Sequence, residues 1–191
     1  MKHAALALAA ILLPLHLWGH SGHEAAARVR ARETRAVERL LVTQHGNRVR
    51  FYSDVLKGKV VLVSFVFTHC PDTCPMQTRK LAAVQALLGG WMGSSIRFVS
   101  ISVDPERDAP DVLRDYAARF DAGPGWLFLT GNKSDIDDVV GRLGQAVAAP
   151  EAHTSLFLAG NLKAGRWSWL HPDTAPLEIA EHLRNLVRET S

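Results

Sequence analysis

Apolar positions along this chain fall into short unbroken runs, separated by stretches where they recur with helical period. The clearest run is Val60-Val61-Leu62-Val63-Ser64-Phe65-Val66-Phe67-Thr68, apolar on both faces and rich in β-branched residues. That pattern predicts a central strand buried from both sides. Ile96–Val103 and Trp126–Thr130 repeat it, the latter ending at Gly131-Asn132. Between them lie helical faces. One follows Pro75 through Leu81, Val84, Leu87 and Leu88 and stops at Gly89-Gly90. Proline is tolerated in a first turn, and glycine ends a helix well. A second runs through Val112, Leu113, Tyr116 and Phe120, with Asp108 as its expected N-cap and Pro110 in its first turn. A third carries Ile136, Val139, Val140 and Leu143, and a last one Ile179, Leu183 and Val187.

Two hairpins complete the pattern. Leu41–Thr43 and Val49–Phe51 flank the turn-rich Gln44-His45-Gly46-Asn47. Ser155–Leu158 and Arg166–Leu170 form the other, with the first strand expected to give out at Ala159-Gly160-Asn161. Strands alternating with helices imply an α/β fold: a mostly parallel central sheet, helices on both faces and an antiparallel edge hairpin. The order strand, cysteine loop, helix, strand, helix, strand, helix, hairpin, helix is that of a thioredoxin-like domain. There is no internal repeat and no second domain. The expected division is residues 1–21, 22–38 as a linker, and 39–191 as the folded domain.

The first residues bear on where that domain works. Lys2 and His3 precede an apolar stretch from Ala4 to Leu15, and small residues Gly19, Ser21 and Gly22 follow. This is the layout of a secretory signal. The stretch contains Pro14, is closed by His16, and is shorter than the roughly 20 apolar residues of a spanning helix. It reads as a cleaved signal, with a short membrane anchor as the alternative. Either way the domain is expected outside the cytoplasm, in the periplasm.

Composition narrows the function. Hydrophobic residues make up 47% of the 191, enough for one core, which excludes wholesale disorder. The 22 Lys and Arg are interleaved with 19 Asp and Glu for a net charge of +3. Only Arg28, Arg30, Arg32 and Arg35 cluster, with Glu33 among them and Glu24 and Glu38 on either side, so no nucleic-acid partner is expected.

The chain has two cysteines, and both sit just after the first buried strand, in His69-Cys70-Pro71-Asp72-Thr73-Cys74-Pro75. Loops at the carboxyl ends of strands in open α/β sheets are where ligands bind. A helix N-terminus offers N–H donors and positive potential, which lower a thiol pKa. A purely structural disulfide would close too small a ring to constrain the unfolded chain much. The thioredoxin-type redox pair has two residues between its cysteines, and here there are three. The wider loop suits two thiolates on one soft ion without forbidding disulfide exchange. Soft donors favour Cu(I), zinc or iron–sulfur clusters. Clusters usually require four cysteines, and structural zinc a closed set of four ligands. From spacing alone the loop is a soft-metal or redox site.

Longer motifs go further. Val66-Phe67-Thr68-His69-Cys70-Pro71-Asp72-Thr73-Cys74-Pro75 resembles the signature of the Sco/SenC family of copper chaperones. Ser102-Val103-Asp104-Pro105-Glu106-Arg107-Asp108-Ala109-Pro110 resembles that family's second motif, and Trp126-Leu127-Phe128-Leu129-Thr130-Gly131 its third. His153-Thr154 falls just before a strand, where the family has its copper-binding histidine. The resemblance spans Leu41 to Val187. It implies copper held by Cys70, Cys74 and His153. It also implies delivery of that copper to the binuclear centre of a cytochrome oxidase, or thiol chemistry by Cys70 and Cys74 that prepares the centre. A periplasmic copper donor and a thiol reductant would then be further partners. The chain departs from the family pattern at Ala152, where an Asp often precedes the histidine, and in the short stretch between the Val139 helix and His153.

Other candidates are weaker. His69 adjoins Cys70, and Asp72 lies inside the loop, where it is expected to tune charge or cap the helix rather than bind a soft ion. Asp104 and Asp108 read as turn and cap residues or as a partner contact. His16, His20 and His23 are spaced like a metal-gathering tail, and cleavage before Gly22 would leave an amine beside His23 that could bind Cu(II). The surroundings of a peroxidatic cysteine are not present.

Overall fold

The structure, a computed structural model, describes residues 38–145, Pro150 and 155–189. Among the described residues seven strands form one sheet in the order β2-β1-β5-β4-β3-β6-β7. They are β1 (Leu40–Thr43), β2 (Arg48–Arg50), β3 (Val60–Val66), β4 (Ile96–Ser102), β5 (Trp126–Thr130), β6 (Phe157–Asn161) and β7 (Arg166–Leu170). Among the described residues four helices pack on it: α1 (Thr73–Leu88), α2 (Pro110–Ala118), α3 (Lys133–Arg142) and α4 (Pro176–Arg188). A π-helical turn, Phe51–Leu56, joins β2 to β3.

The centre of the sheet is parallel. β3 pairs with β4 from Val60↔Ile96 to Val66↔Ser102, and β4 with β5 from Phe98↔Trp126 to Ile101↔Leu129. Every residue of β3 is buried, as its unbroken apolar run requires. Alternate residues face opposite ways. Val61, Val63 and Phe65 join a cluster with α3 and the π-helical turn, while Val60, Leu62 and Val66 join one with α1, α2 and α4. The antiparallel part is larger than the one edge hairpin expected. β6–β7 adds to β3 on one side, and the N-terminal hairpin adds through β1 to β5 on the other.

Two local expectations change. Leu87 is exposed rather than on the buried face of α1, which is made by Leu81, Val84 and Leu88. The first strand of the closing hairpin runs past Leu158, with Ala159-Gly160-Asn161 as the last three residues of β6, paired with Ser168, Trp167 and Arg166. Gly160 permits this because the Trp167 ring lies over it. A Cβ there would be 2.2 Å from the ring. Asn161 donates from Nδ2 to the Leu186 carbonyl at 2.6 Å and accepts from the N–H groups of Lys163 and Ala164, so its side chain builds the turn that follows.

The three parallel strands end at one edge of the sheet. β3 leads there into the cysteine loop, β4 into Asp104–Asp108 and β5 into Asn132 and α3. β1 is antiparallel to β5, with Val42 opposite Thr130, so the chain also enters the sheet at this edge.

Candidate metal centre

The site begins where β3 stops. The Cys70 N–H donates to the Phe67 carbonyl at 3.2 Å, closing a tight turn over Phe67–Cys70. α1 then starts at Thr73, so Cys74 and Pro75 both lie in its first turn. Cys70 is half-buried and Cys74 is 1% exposed, and both are thiols.

The helix N-terminus is capped in an uncommon way. Asp72 holds the N-cap position, yet its side chain makes no capping bond and stays exposed. The Cys74 N–H donates instead to the Cys70 sulfur at 3.4 Å. The free N–H groups of the first turn therefore act on a sulfur rather than a carboxylate. This makes the two thiols unlike. Burial raises the Cys70 pKa, but N–H groups of Cys74, Asp72 and Thr73 outweigh it, and the net shift is downward. For Cys74 burial dominates, offset only in part by the Phe67 N–H, and its pKa is pushed up to about 12. Cys70 is thus the reactive sulfur and Cys74 the retained thiol. A short pulse of iodoacetamide at pH 7, read by peptide mass mapping, is expected to modify Cys70 and leave Cys74 unmodified. Equal labelling of the two would contradict the assignment.

Of the two acids of the second motif, Asp104 is the turn residue expected and Asp108 is placed differently. Asp108 does not cap α2, whose N-cap is Ala109. Its carboxylate is fully buried and accepts from Thr68 and Ser102, which sequence reasoning missed because these partners are far from it along the chain or lie in a strand. Asp104 shapes the turn beyond β4, where its carbonyl accepts from the N–H groups of Arg107 and Asp108. Gln77, one turn beyond Cys74, is buried and donates from Nε2 to the Ser155 carbonyl at 3.0 Å. The cysteine helix thereby holds the chain two residues after His153. A polar residue three positions from Cys74 on one helix face was the only signal available for it.

His153 lies outside the described residues, as do His16, His20, His23 and Ala152. His69 is exposed, its Nδ1 3.2 Å from the Thr68 hydroxyl. Among the described residues no group of three His, Cys, Asp or Glu converges on a point, so His69 and Asp72 do not complete a site with the cysteines. The donor set here is two sulfurs, which fits a soft monovalent ion such as Cu(I).

A two-thiol loop on a thioredoxin-like sheet, at a helix N-terminus, defines a class of soft-metal and dithiol proteins. The family model for SCO1/SenC matches residues 31–187, and the chain belongs to that family. A SCO2-like protein of Rickettsia conorii is 32% identical over 155 residues, covering 76% of this chain and 73% of its own. A SCO2-like protein of Rickettsia felis is 38% identical over 154 residues, 75% of this chain and 73% of its own. Among solved structures, ScoI of Bradyrhizobium japonicum with copper bound is similar, with a TM-score of 0.65 and 31% identity, over 77% of this chain and 96% of that one. So is BsSco, described by its disulfide switch and as a member of the Sco family of cytochrome c oxidase assembly proteins. Its TM-score is 0.67 at 28% identity, over 78% of this chain and 91% of that one. No helix among the described residues is long and apolar enough to cross a membrane.

Proposed function

We propose that this chain is a copper metallochaperone of cytochrome oxidase assembly. It takes Cu(I) on the sulfurs of Cys70 and Cys74 with the imidazole of His153, and passes it to the binuclear copper centre of an oxidase subunit. The observation that carries this is the convergence of two unlike thiols at one helix N-terminus, one accessible and one retained. Family membership and copper in the Bradyrhizobium relative support the choice of metal. Low coordination suits hand-over, because an acceptor thiolate or imidazole can join the ion before Cys70 leaves it. Export to the periplasm through the signal over residues 1–21 agrees with an acceptor outside the cytoplasm. A periplasmic copper donor and a thiol reductant are the other partners, since loading needs reduced sulfurs and the periplasm is oxidising.

A second reading has a specific observation behind it. A lowered, accessible thiol beside a raised, buried one is also the arrangement of a thiol–disulfide oxidoreductase. Cys70 would attack a disulfide between the acceptor's cysteines and Cys74 would resolve the mixed disulfide, leaving the acceptor reduced and this pair oxidised. His153→Ala separates the two. Under copper delivery it weakens Cu(I) binding about ten-fold or more and impairs oxidase assembly, while the thiol pair still exchanges with glutathione. Full assembly by His153→Ala would instead select the oxidoreductase.

A further inference from the structure

Asp108 is a buried carboxylate whose bonds come from the cysteine turn and from the neighbouring strand. Its exposure is 0%. Oδ1 accepts from the Thr68 hydroxyl at 2.6 Å, and Oδ2 from the Ser102 hydroxyl at 2.6 Å. The Thr68 N–H lies 3.2 and 3.3 Å from the same two oxygens. Two hydroxyls and an amide therefore solvate an anion far from water. Charged hydrogen bonds of this kind are stronger than neutral ones, and a buried carboxylate is costly unless it is fully bonded.

The position of Thr68 gives this cluster its meaning. The parallel ladder between β3 and β4 closes with the Val103 N–H on the Val66 carbonyl at 2.9 Å. Beyond Val66 the bonds from Thr68 to Asp108 take over. Thr68 is the second residue of the turn that Cys70 closes onto Phe67. Phe67, on its other side, directs its N–H to the Cys74 sulfur. One clamp thus holds the residue next to Phe67, whose carbonyl accepts from the Cys70 N–H and whose N–H reaches the Cys74 sulfur. Ser102 holds the same carboxylate from β4, and its hydroxyl also accepts from the Asp104 N–H at 3.1 Å, so the clamp is itself anchored in the sheet.

We propose that Asp108 is a positioning residue for the thiol pair: acting through Thr68, it fixes the turn that sets where the Cys70 sulfur lies relative to that of Cys74. The metal part of this inference rests on the copper reading, and the thiol part does not. Residues that orient a ligand without touching the ion commonly change affinity 10–100-fold when replaced.

The test uses the full chain with Asp108→Asn, Thr68→Val, the two combined, and Ser102→Ala. Two readouts are taken on folded protein. One is the equilibrium of the Cys70–Cys74 pair in a glutathione buffer, where glutathione disulfide takes the two electrons and two protons as the intramolecular S–S bond forms. The other is Cu(I) affinity by competition with a chromophoric chelator. Asp108→Asn and Thr68→Val are each expected to lower both quantities about ten-fold. Asp108→Asn also removes a negative charge that acts on Cys74 directly, so the double variant is compared with Asp108→Asn and should lose no more than it, because Thr68 acts only through that carboxylate. Ser102→Ala removes one of the carboxylate's bonds and leaves those from Thr68, so it should lower both quantities less than Thr68→Val does, while lowering thermal stability. Thr68→Val without effect, additive losses in the double variant, or an equal shift in Ser102→Ala would each overturn the proposal. If Asp108→Asn does not fold, Thr68→Val against Ser102→Ala decides it. If the wild-type chain binds no Cu(I), the copper reading falls while the glutathione equilibrium still tests this one.

Discussion

Cys70→Ser and Cys74→Ser are each expected to weaken Cu(I) binding about a hundred-fold or more, and to do so by different routes. A four-ligand structural zinc site contributes roughly 10–16 kcal/mol, so one ligand of such a set is worth about 3 kcal/mol, near a hundred-fold in affinity. A serine hydroxyl is a hard oxygen and does not replace a thiolate on a soft ion. Cys70 is accessible and its anion is held by first-turn N–H groups, so its loss removes the entry ligand and should slow uptake most. Cys74 is buried and stays protonated until the ion arrives, with a pKa of about 12. Its loss should speed release. The same contrast fixes the sign of the pH dependence. Each sulfur must shed its proton to ligate, so affinity falls as pH falls. Because Cys74 holds its proton across the neutral range, a proton is released on binding even at pH 8. Chelator competition at pH 6 and 8, with stopped-flow uptake and release, checks all of this. Undiminished copper stoichiometry in both variants would remove the cysteines from the site.

Phe128→Ala carries the largest expected effect on stability. Phe128 is fully buried in β5 and stacks on Trp126 at 5.4 Å between ring centroids, with Tyr116 edge-on at 6.0 Å. Removing a buried phenyl ring costs about 3–5 kcal/mol. For a domain of this size that lowers Tm by roughly 10 °C and takes a large share of a total stability of about 5–15 kcal/mol. Neighbouring groups can close little of the cavity. The Trp126 Nε1–H is committed to the Ser100 hydroxyl at 2.9 Å, and the Tyr116 hydroxyl to that of Thr78 at 2.9 Å. Phe128 belongs to the cluster under α1, α2 and α4, whereas Cys74 packs in the cluster on the other side of the sheet. The thiol pair should therefore keep its glutathione equilibrium at temperatures where the variant is folded. Differential scanning calorimetry gives the first result and the redox titration the second. A Tm within about 2 °C of wild type would show that the ring is not held as the structure has it.

Sequence and structure divide this protein along physical lines. The three parallel strands were legible because a strand buried on both faces needs an unbroken apolar run, and such runs are local. The stop of α1 was legible because Gly89, with φ 52°, ends the helix where most residues would be strained. The cysteine loop was legible from spacing, and the family from motifs in order. Local pattern misled where a side chain's partner is distant. Asp108 looks like a helix cap because it precedes Pro110, yet its bonds reach Thr68, 40 residues back. Gly160 looks like a turn residue, yet it is there so that Trp167 can cross it.

The pair of soft donors, their loop and the strand–helix frame that carries it are written in the order of residues along the chain. That the two cysteines differ emerges only once the chain is packed. Two identical thiols four positions apart acquire opposite shifts because one sits where helix N–H groups point and the other where water is excluded. Proximity to a helix end and depth of burial are set by packing among β3, α1 and the Asp108 clamp, and no spacing rule contains them.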